Sequence, residues 1–249
     1  MTAAGLLVAA IAGLALFGQL DDVARLGTDK LTTRLADMGF AVRSVDVTGA
    51  ENTVAHDIVL ATEIYDGQSI FAVDPDLVRA RVEALPVIRS ATVARLWPDR
   101  ISIVVETREA FALWQVDGAL NIIDRDGVVL GVADAMDPPA LPLVVAEGAN
   151  ESVVEIVEAL RLYPVISRHV VGAVRVGERR WNLRLASGAD VKLPEGDVQA
   201  SMAILARLQD ERGILRLAAE SFDLRGQGDL IVRALPDRAA AAGMREHEA

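Results

Sequence analysis

The 249-residue chain contains no cysteine, three histidines and only 4% aromatic residues. Without thiols it can have no disulfide framework, thiolate zinc site or cysteine nucleophile. His56, His169 and His247 stand far apart in sequence and form no H-E-x-x-H spacing, so no metal site is expected. Positive charge is also scarce. Twenty-five basic residues face 36 acidic ones, giving a formal net charge of −11, and a surface of that sign repels phosphate backbones. General nucleic-acid binding is therefore not expected. Nearly all the bases are Arg, a skew that codon composition explains more simply than bidentate interaction chemistry.

The short catalytic motifs are missing as well. There is no G-x-S-x-G, no G-x-x-x-x-G-K-[ST] and no S-x-x-K. Gly226-Gln227-Gly228 lacks the third glycine of a dinucleotide fingerprint and leads into a strand-like run, so it reads as a turn. Asp124-Arg125-Asp126-Gly127 has part of a calcium loop, but Ile122 stands where a further ligand is required. Trp97-Pro98-Asp99 is similar to the acid-bearing loop of protein tyrosine phosphatases, whose nucleophile is a cysteine this chain does not have. No catalytic, cofactor-binding or metal-ligating residue is assigned, and an enzyme is not expected.

What the chain does have is apolar bulk, 52% of residues, part of it concentrated at the start. Residues 3–20 (AAGLLVAAIAGLALFGQL) carry no charge. As a helix they would reach roughly 27 Å, close to a bilayer core of about 30 Å. No basic residue precedes the run and Gly18-Gln19-Leu20 is a poor cleavage site, so an uncleaved membrane anchor is preferred to a signal peptide. Gly5 and Gly13, eight residues apart, make no GxxxG pair. The charges that follow the span nearly balance, leaving its orientation open.

Residues 21–39 predict a linking helix that Gly39 stops. Val42, Val45 and Val47 then predict a strand, and Asn52 or Thr53 caps a helix to about Ile64. Asp74-Pro75 opens a second helix with a capping oxygen followed by proline. Strands are expected over 88–96 and 100–106, joined at Trp97-Pro98-Asp99, which completes a β-α-α-β-β order. Beyond Ala110 the texture is mainly β: short strands over 111–116, 120–123 and 128–132, with Asp126-Gly127 the strongest hairpin signal. Val153, Ile156, Val157 and Leu160 mark one face of a helix from Ser152 to about Leu162. Strands over 181–185 and 190–193 follow, then a helix opened by Pro194-Glu195-Gly196-Asp197 with Met202, Leu205, Leu208 and Leu215 inward. Two final strands, 221–225 and 229–235, flank the glycine turn. Trp97, Trp114 and Trp181 are each expected to fill a core rather than anchor an interface.

The fold class is thus α+β: an N-terminal transmembrane helix, a β-α-α-β-β unit, then a mainly antiparallel β domain with flanking helices. This plan resembles the FtsQ/DivIB family of bacterial cell-division proteins. The resemblance rests on Val42-Arg43-Ser44-Val45-Asp46-Val47-Thr48-Gly49, on Leu85-Pro86-Val87-Ile88-Arg89-Ser90-Ala91-Thr92-Val93, and on Trp97-Pro98-Asp99-Arg100-Ile101 followed by Glu106. In the second unit it rests on Arg179-Arg180-Trp181-Asn182-Leu183, Val191-Lys192-Leu193-Pro194 and Phe222-Asp223-Leu224-Arg225. Their order and spacing across two domains are more specific than any one of them. The domains it implies are an anchor over 1–20, the linking helix, a POTRA domain over 40–109, an FtsQ-type β domain over 110–235 and a loose tail over 236–249.

The resemblance implies a single-pass inner-membrane protein with its C-terminal bulk in the periplasm, placed at the division septum and joining FtsB and FtsL. It implies no catalysis and no cofactor. It also implies that the last strand of the β domain pairs with a segment of FtsB, the mode in which an unpaired row of main-chain groups supplies affinity. On this chain the implied edge is Asp229, Leu230, Ile231, Val232 and Arg233, preceded by Arg225, with Arg179 a further charge contact for an acidic partner segment. Two features depart from the family pattern: no basic tail precedes the span, and Gly226 stands where some members carry an aromatic residue. The alternative reading is a POTRA-bearing factor for outer-membrane protein assembly or secretion.

Overall fold

Hydrogen-bonded strands account for the architecture of both units of this chain. In the computed structural model, residues 39–226 and 230–235 are described. The expected anchor (1–20), nearly all of the linking helix and the tail from residue 236 lie outside the described residues. Contacts divide the chain into one unit ending at Arg108 and another beginning at Glu109.

The first unit runs β1 (Ser44–Thr48), α1 (Asn52–Thr62), α2 (Pro75–Glu83), β2 (Ile88–Leu96) and β3 (Arg100–Thr107). Its sheet has the order β1-β3-β2, with β1 parallel to β3 and β2 antiparallel to it. The parallel pair requires a crossover, and the two helices supply one. Ile101, Ile103 and Val105, spaced by two along β3, face inward and join Ile58 of α1 and Val78 and Val82 of α2. Asp74 caps α2 by accepting from the N–H groups of Asp76 and Leu77, with Pro75 opening the helix. Helix α1 differs from the sequence expectation. Its cap is Glu51, which makes no side-chain capping bond, and the helix ends at Thr62 because Glu63 turns left-handed at φ 55°. Arg81 of α2 secures that end, donating to the Thr62 carbonyl at 3.0 Å and pairing with Glu63 at 2.7 Å.

The second unit holds β4 (Ala112–Val116), β5 (Ala119–Ile123), β6 (Val129–Val132), β7 (Leu143–Val145), α3 (Val153–Leu162), α4 (Pro164–Ser167), β8 (Val170–Val176), β9 (Arg180–Leu185), β10 (Asp190–Lys192), α5 (Val198–Arg212), β11 (Ala219–Asp223) and β12 (Ile231–Ala234). All nine strands form one sheet in the order β12-β11-β10-β9-β8-β7-β4-β5-β6. Five neighbouring pairs are antiparallel and three are parallel: β4–β7, β7–β8 and β10–β11. The last two parallel pairs are bridged by helix-bearing crossovers, α3–α4 and α5, as parallel pairing demands. Ile156 and Val157 of α3 and Met202 and Leu205 of α5 share one core with Leu183, Val191 and Phe222 of the sheet.

Several sequence expectations shift here. The β4–β5 hairpin turns on Asp117-Gly118, both at positive φ (49° and 80°), the backbone geometry a two-residue turn requires. At the other turn, buried Asp124 accepts from the N–H groups of Asp126 and Val128, which closes the turn. Leu215 lies beyond α5 in a 3₁₀ turn, because Gly213 ends the helix at φ 61°. Strands β7 and β8 and helix α4 were not expected. Of the three tryptophans only Trp181 is fully buried; Trp114 is half-buried, and Trp97 is 55% exposed, so its assignment to a core is corrected.

Candidate interaction edge

The nine-stranded sheet ends at β12, which pairs with β11 through Asp223↔Ile231, Phe222↔Val232 and Ser221↔Arg233. On its other side β12 has no strand neighbour among the described residues. The main-chain alternation can be counted. Leu235 donates its N–H to the Ala218 carbonyl, so the groups of Arg233 and Ile231 turn toward β11 and those of Ala234 and Val232 toward the open side.

Side-chain direction follows from register, since residues directly opposite share a face. Leu183, Val191, Phe222 and Val232 form one row, and the first three are fully buried beneath α3 and α5. Val232 continues this row but is 41% exposed because no strand lies beyond it. Leu230, just before the strand, packs partly against the same core. The opposite row is Asn182, Lys192, Asp223 and Ile231, and Ile231 is 61% exposed. Arg233 shares that second face and lies 4.0 Å from Glu220. A strand added beyond β12 would thus meet an apolar side against Leu230 and Val232 and a more polar side against Ile231 and Arg233.

The remaining expected contact residues fall at one end of this region. Arg225 follows β11 and is clasped by Asp223: its Nε donates to Oδ1 at 2.8 Å and its Nη2 to Oδ2 at 2.5 Å. These hydrogen bonds hold the Asp223 carboxyl at about 2, below its usual 3.8. Arg179 precedes β9, three strands from β12, so it stands roughly 14 Å across the sheet at the same end as Arg225. It lies 3.8 Å from Glu195. Asp229 lies outside the described residues, and the strand itself begins at Ile231, two residues later than its sequence pattern suggests.

At the other end of the sheet β6 likewise has no strand neighbour on its outer side among the described residues. No cluster of three or more His, Asp or Glu able to hold a metal occurs among them. A pocket of about 250 Å³ beside α3 and the start of β8 is lined mainly by Leu141, Leu143, Val157 and Leu160. Its only polar side chains are Arg161 and Ser167, and Arg161 is committed to Glu158 and to the face of Phe111.

A three-stranded α/β unit followed by a nine-stranded mixed sheet is the two-domain plan that known families can be compared with. Residues 40–108 match the family model described as POTRA domain, FtsQ-type, and residues 112–225 match Cell division protein FtsQ/DivIB, C-terminal. The second match stops at Arg225, short of β12. Curated relatives, each called Cell division protein FtsQ, include that of Bradyrhizobium diazoefficiens, 34% identical over 229 residues (92% of this chain, 67% of the relative). The Caulobacter vibrioides protein is 36% identical over 212 residues (84% and 70%), and that of Rhizobium meliloti 31% over 235 residues (94% and 74%). The chain belongs to the FtsQ/DivIB family of cell-division proteins.

Proposed function

We propose that this chain is a non-catalytic scaffold of the divisome, tethered to the inner membrane by residues 3–20, with both folded units in the periplasm at the septum. Its task in this reading is to link early and late division proteins and to bind FtsB, with FtsL, along β12. The observation that carries it is the open side of β12, at the end of the nine-stranded sheet. Main-chain groups of Val232 and Ala234 would pair with a partner strand, while Leu230 and Val232 on one face and Ile231 and Arg233 on the other select its side chains. Arg225 and Arg179, at the strand's entrance end, would receive carboxylates of an acidic partner segment. For Arg225 this means sharing its guanidinium with Asp223, whose two oxygens leave part of the five-donor fork unused.

The anchor is supported by the composition of residues 3–20 alone. Among the described residues no helix is long and apolar enough to cross a membrane. The reading is tested with the full-length chain in cells, by following septal localisation and the co-purification of FtsB. Localisation at midcell with FtsB retained supports it. A chain that localises elsewhere, or one that leaves FtsB behind, contradicts it.

A further inference from the structure

Three rings of the first unit gather on its surface. Phe40, Phe71 and Trp97 come from separate stretches of chain, with centroids 5.6 Å (Phe40–Phe71), 5.8 Å (Phe40–Trp97) and 4.7 Å (Phe71–Trp97) apart in tilted and edge-on geometry. The contacts fix the rings relative to one another without covering them: Trp97 is 55% and Phe71 38% exposed, and neighbouring Leu96 is exposed as well. The fold holds these large apolar groups together at a wet surface, which marks a surface that meets something.

What it meets follows from where the chain arrives. Phe40 is both a member of the cluster and the residue at which the chain joins this unit, and 19 residues separate it from Leu20 at the end of the uncharged run. The cluster is therefore tethered at the point of the unit nearest, along the chain, to the anchor of the proposed function, a reading on which this inference rests. Trp is enriched at the headgroup level of a bilayer, and Trp, Phe and Leu together on the apolar faces of elements that rest in it. The flanking charges suit the same surroundings. Exposed Arg43 and Arg100 lie together at the Asp99 end of the turn that carries Trp97, each at a loose 3.9 Å from its acid, Asp99 or Asp46, and guanidinium groups pair readily with lipid phosphates.

We propose that the Phe40–Phe71–Trp97 cluster is a lipid-contacting surface through which the first unit rests on the phospholipid bilayer beside its own anchor. The contact fixes which side of that unit faces the membrane and which sides remain open to proteins.

The absence of cysteine makes the test clean. The full-length chain is reconstituted into vesicles of phosphatidylethanolamine and phosphatidylglycerol carrying nitroxide-labelled lipid. A fluorophore is placed through Phe71→Cys or, independently, through Leu96→Cys, both at exposed positions. Ser90→Cys, six residues back along β2 and about 20 Å from Leu96, is the reference. Labels at 71 and 96 are expected to lose more than half of their emission to the lipid nitroxide and to be shielded from aqueous iodide, with the label at 90 showing the reverse. Adding Trp97→Ser should reduce the lipid quenching at 71 at least twofold. If the chain floats with the vesicles but 71 and 96 are quenched by lipid no more than 90, the proposal is overturned and the anchor stands. Shielding from both quenchers overturns it too, because protein, whether residues 21–38, a second copy or a partner, then covers the rings. A chain that fails to float removes the anchor reading and this inference with it.

Discussion

Asp223 and Arg225 grip each other two residues apart at the end of β11, the carboxylate accepting three guanidinium hydrogen bonds and the Arg225 backbone N–H also donating to Asp223 Oδ1 at 3.0 Å. The clasp closes a tight turn directly after β11. It also gives that turn a pH dependence. The Asp223 carboxyl titrates at about 2 in the folded chain against 3.8 otherwise. A group with a depressed folded value contributes its stability fully above the unfolded value and loses it as pH falls toward the folded one. The contribution is therefore present above about pH 4 and lost between 3.8 and about 2. Solvent screening of this partly exposed pair keeps it to about 0.5–1 kcal/mol. Asp223→Asn should flatten the pH dependence of stability in that window, measured by urea unfolding at pH 4.5 and 2.5.

The two kinds of position along β12 should respond differently to proline. At Val232 the main-chain N–H faces the open side, so Val232→Pro removes a donor that only a partner would use and should weaken FtsB binding at least tenfold with little change in Tm. At Ile231 the N–H faces β11, so Ile231→Pro should lower Tm as well. Binding by titration calorimetry alongside thermal melts separates the two effects.

Phe222 is fully buried in the row that Val232 completes. Phe222→Ala leaves a cavity beneath α5 and should cost about 3–5 kcal/mol of stability. Urea unfolding followed by tryptophan fluorescence would show it as a lower midpoint with an unchanged slope.

Gly49 closes β1 at φ 93°, and a Cβ there would lie 2.0 Å from the Val105 carbonyl oxygen of the central strand. Gly49→Ala therefore combines a left-handed penalty of about 1–2 kcal/mol with a backbone clash and should destabilise the first unit by more than about 2 kcal/mol. Gly67→Ala, at φ 81° with open space around its Cβ, should cost only the conformational part. Calorimetry of the two variants makes the comparison.

The elements legible in the sequence are those whose signals are local. Asp74-Pro75 announces its helix by the same capping oxygen the structure uses, and β2 and β3 flank the Trp97-Pro98-Asp99 turn as their alternation indicates. Val170–Val176 gave no such signal. It is the fifth strand of nine, and its VVGAVRV run does not alternate, with Gly172 packed against the Leu143 side chain and Ala173 buried. Leu143–Val145 is too short to carry a period and is a strand only because β4 and β8 lie on either side. The ring of Trp97 looked like core material because residue type does not tell which side of a turn faces water. At the candidate edge, the apolar run Leu230-Ile231-Val232 ahead of Arg233 is visible in sequence. Its exposure is not, because an edge is whatever remains after every other strand has found its neighbours.

Amide hydrogen exchange at Val232 and Ala234, in the full-length chain with and without FtsB, bears most directly on the open edge. Fast exchange alone and strong protection in the complex is the expected result. Amides already protected without FtsB, or still exchanging fast once it is bound, would contradict strand addition at β12.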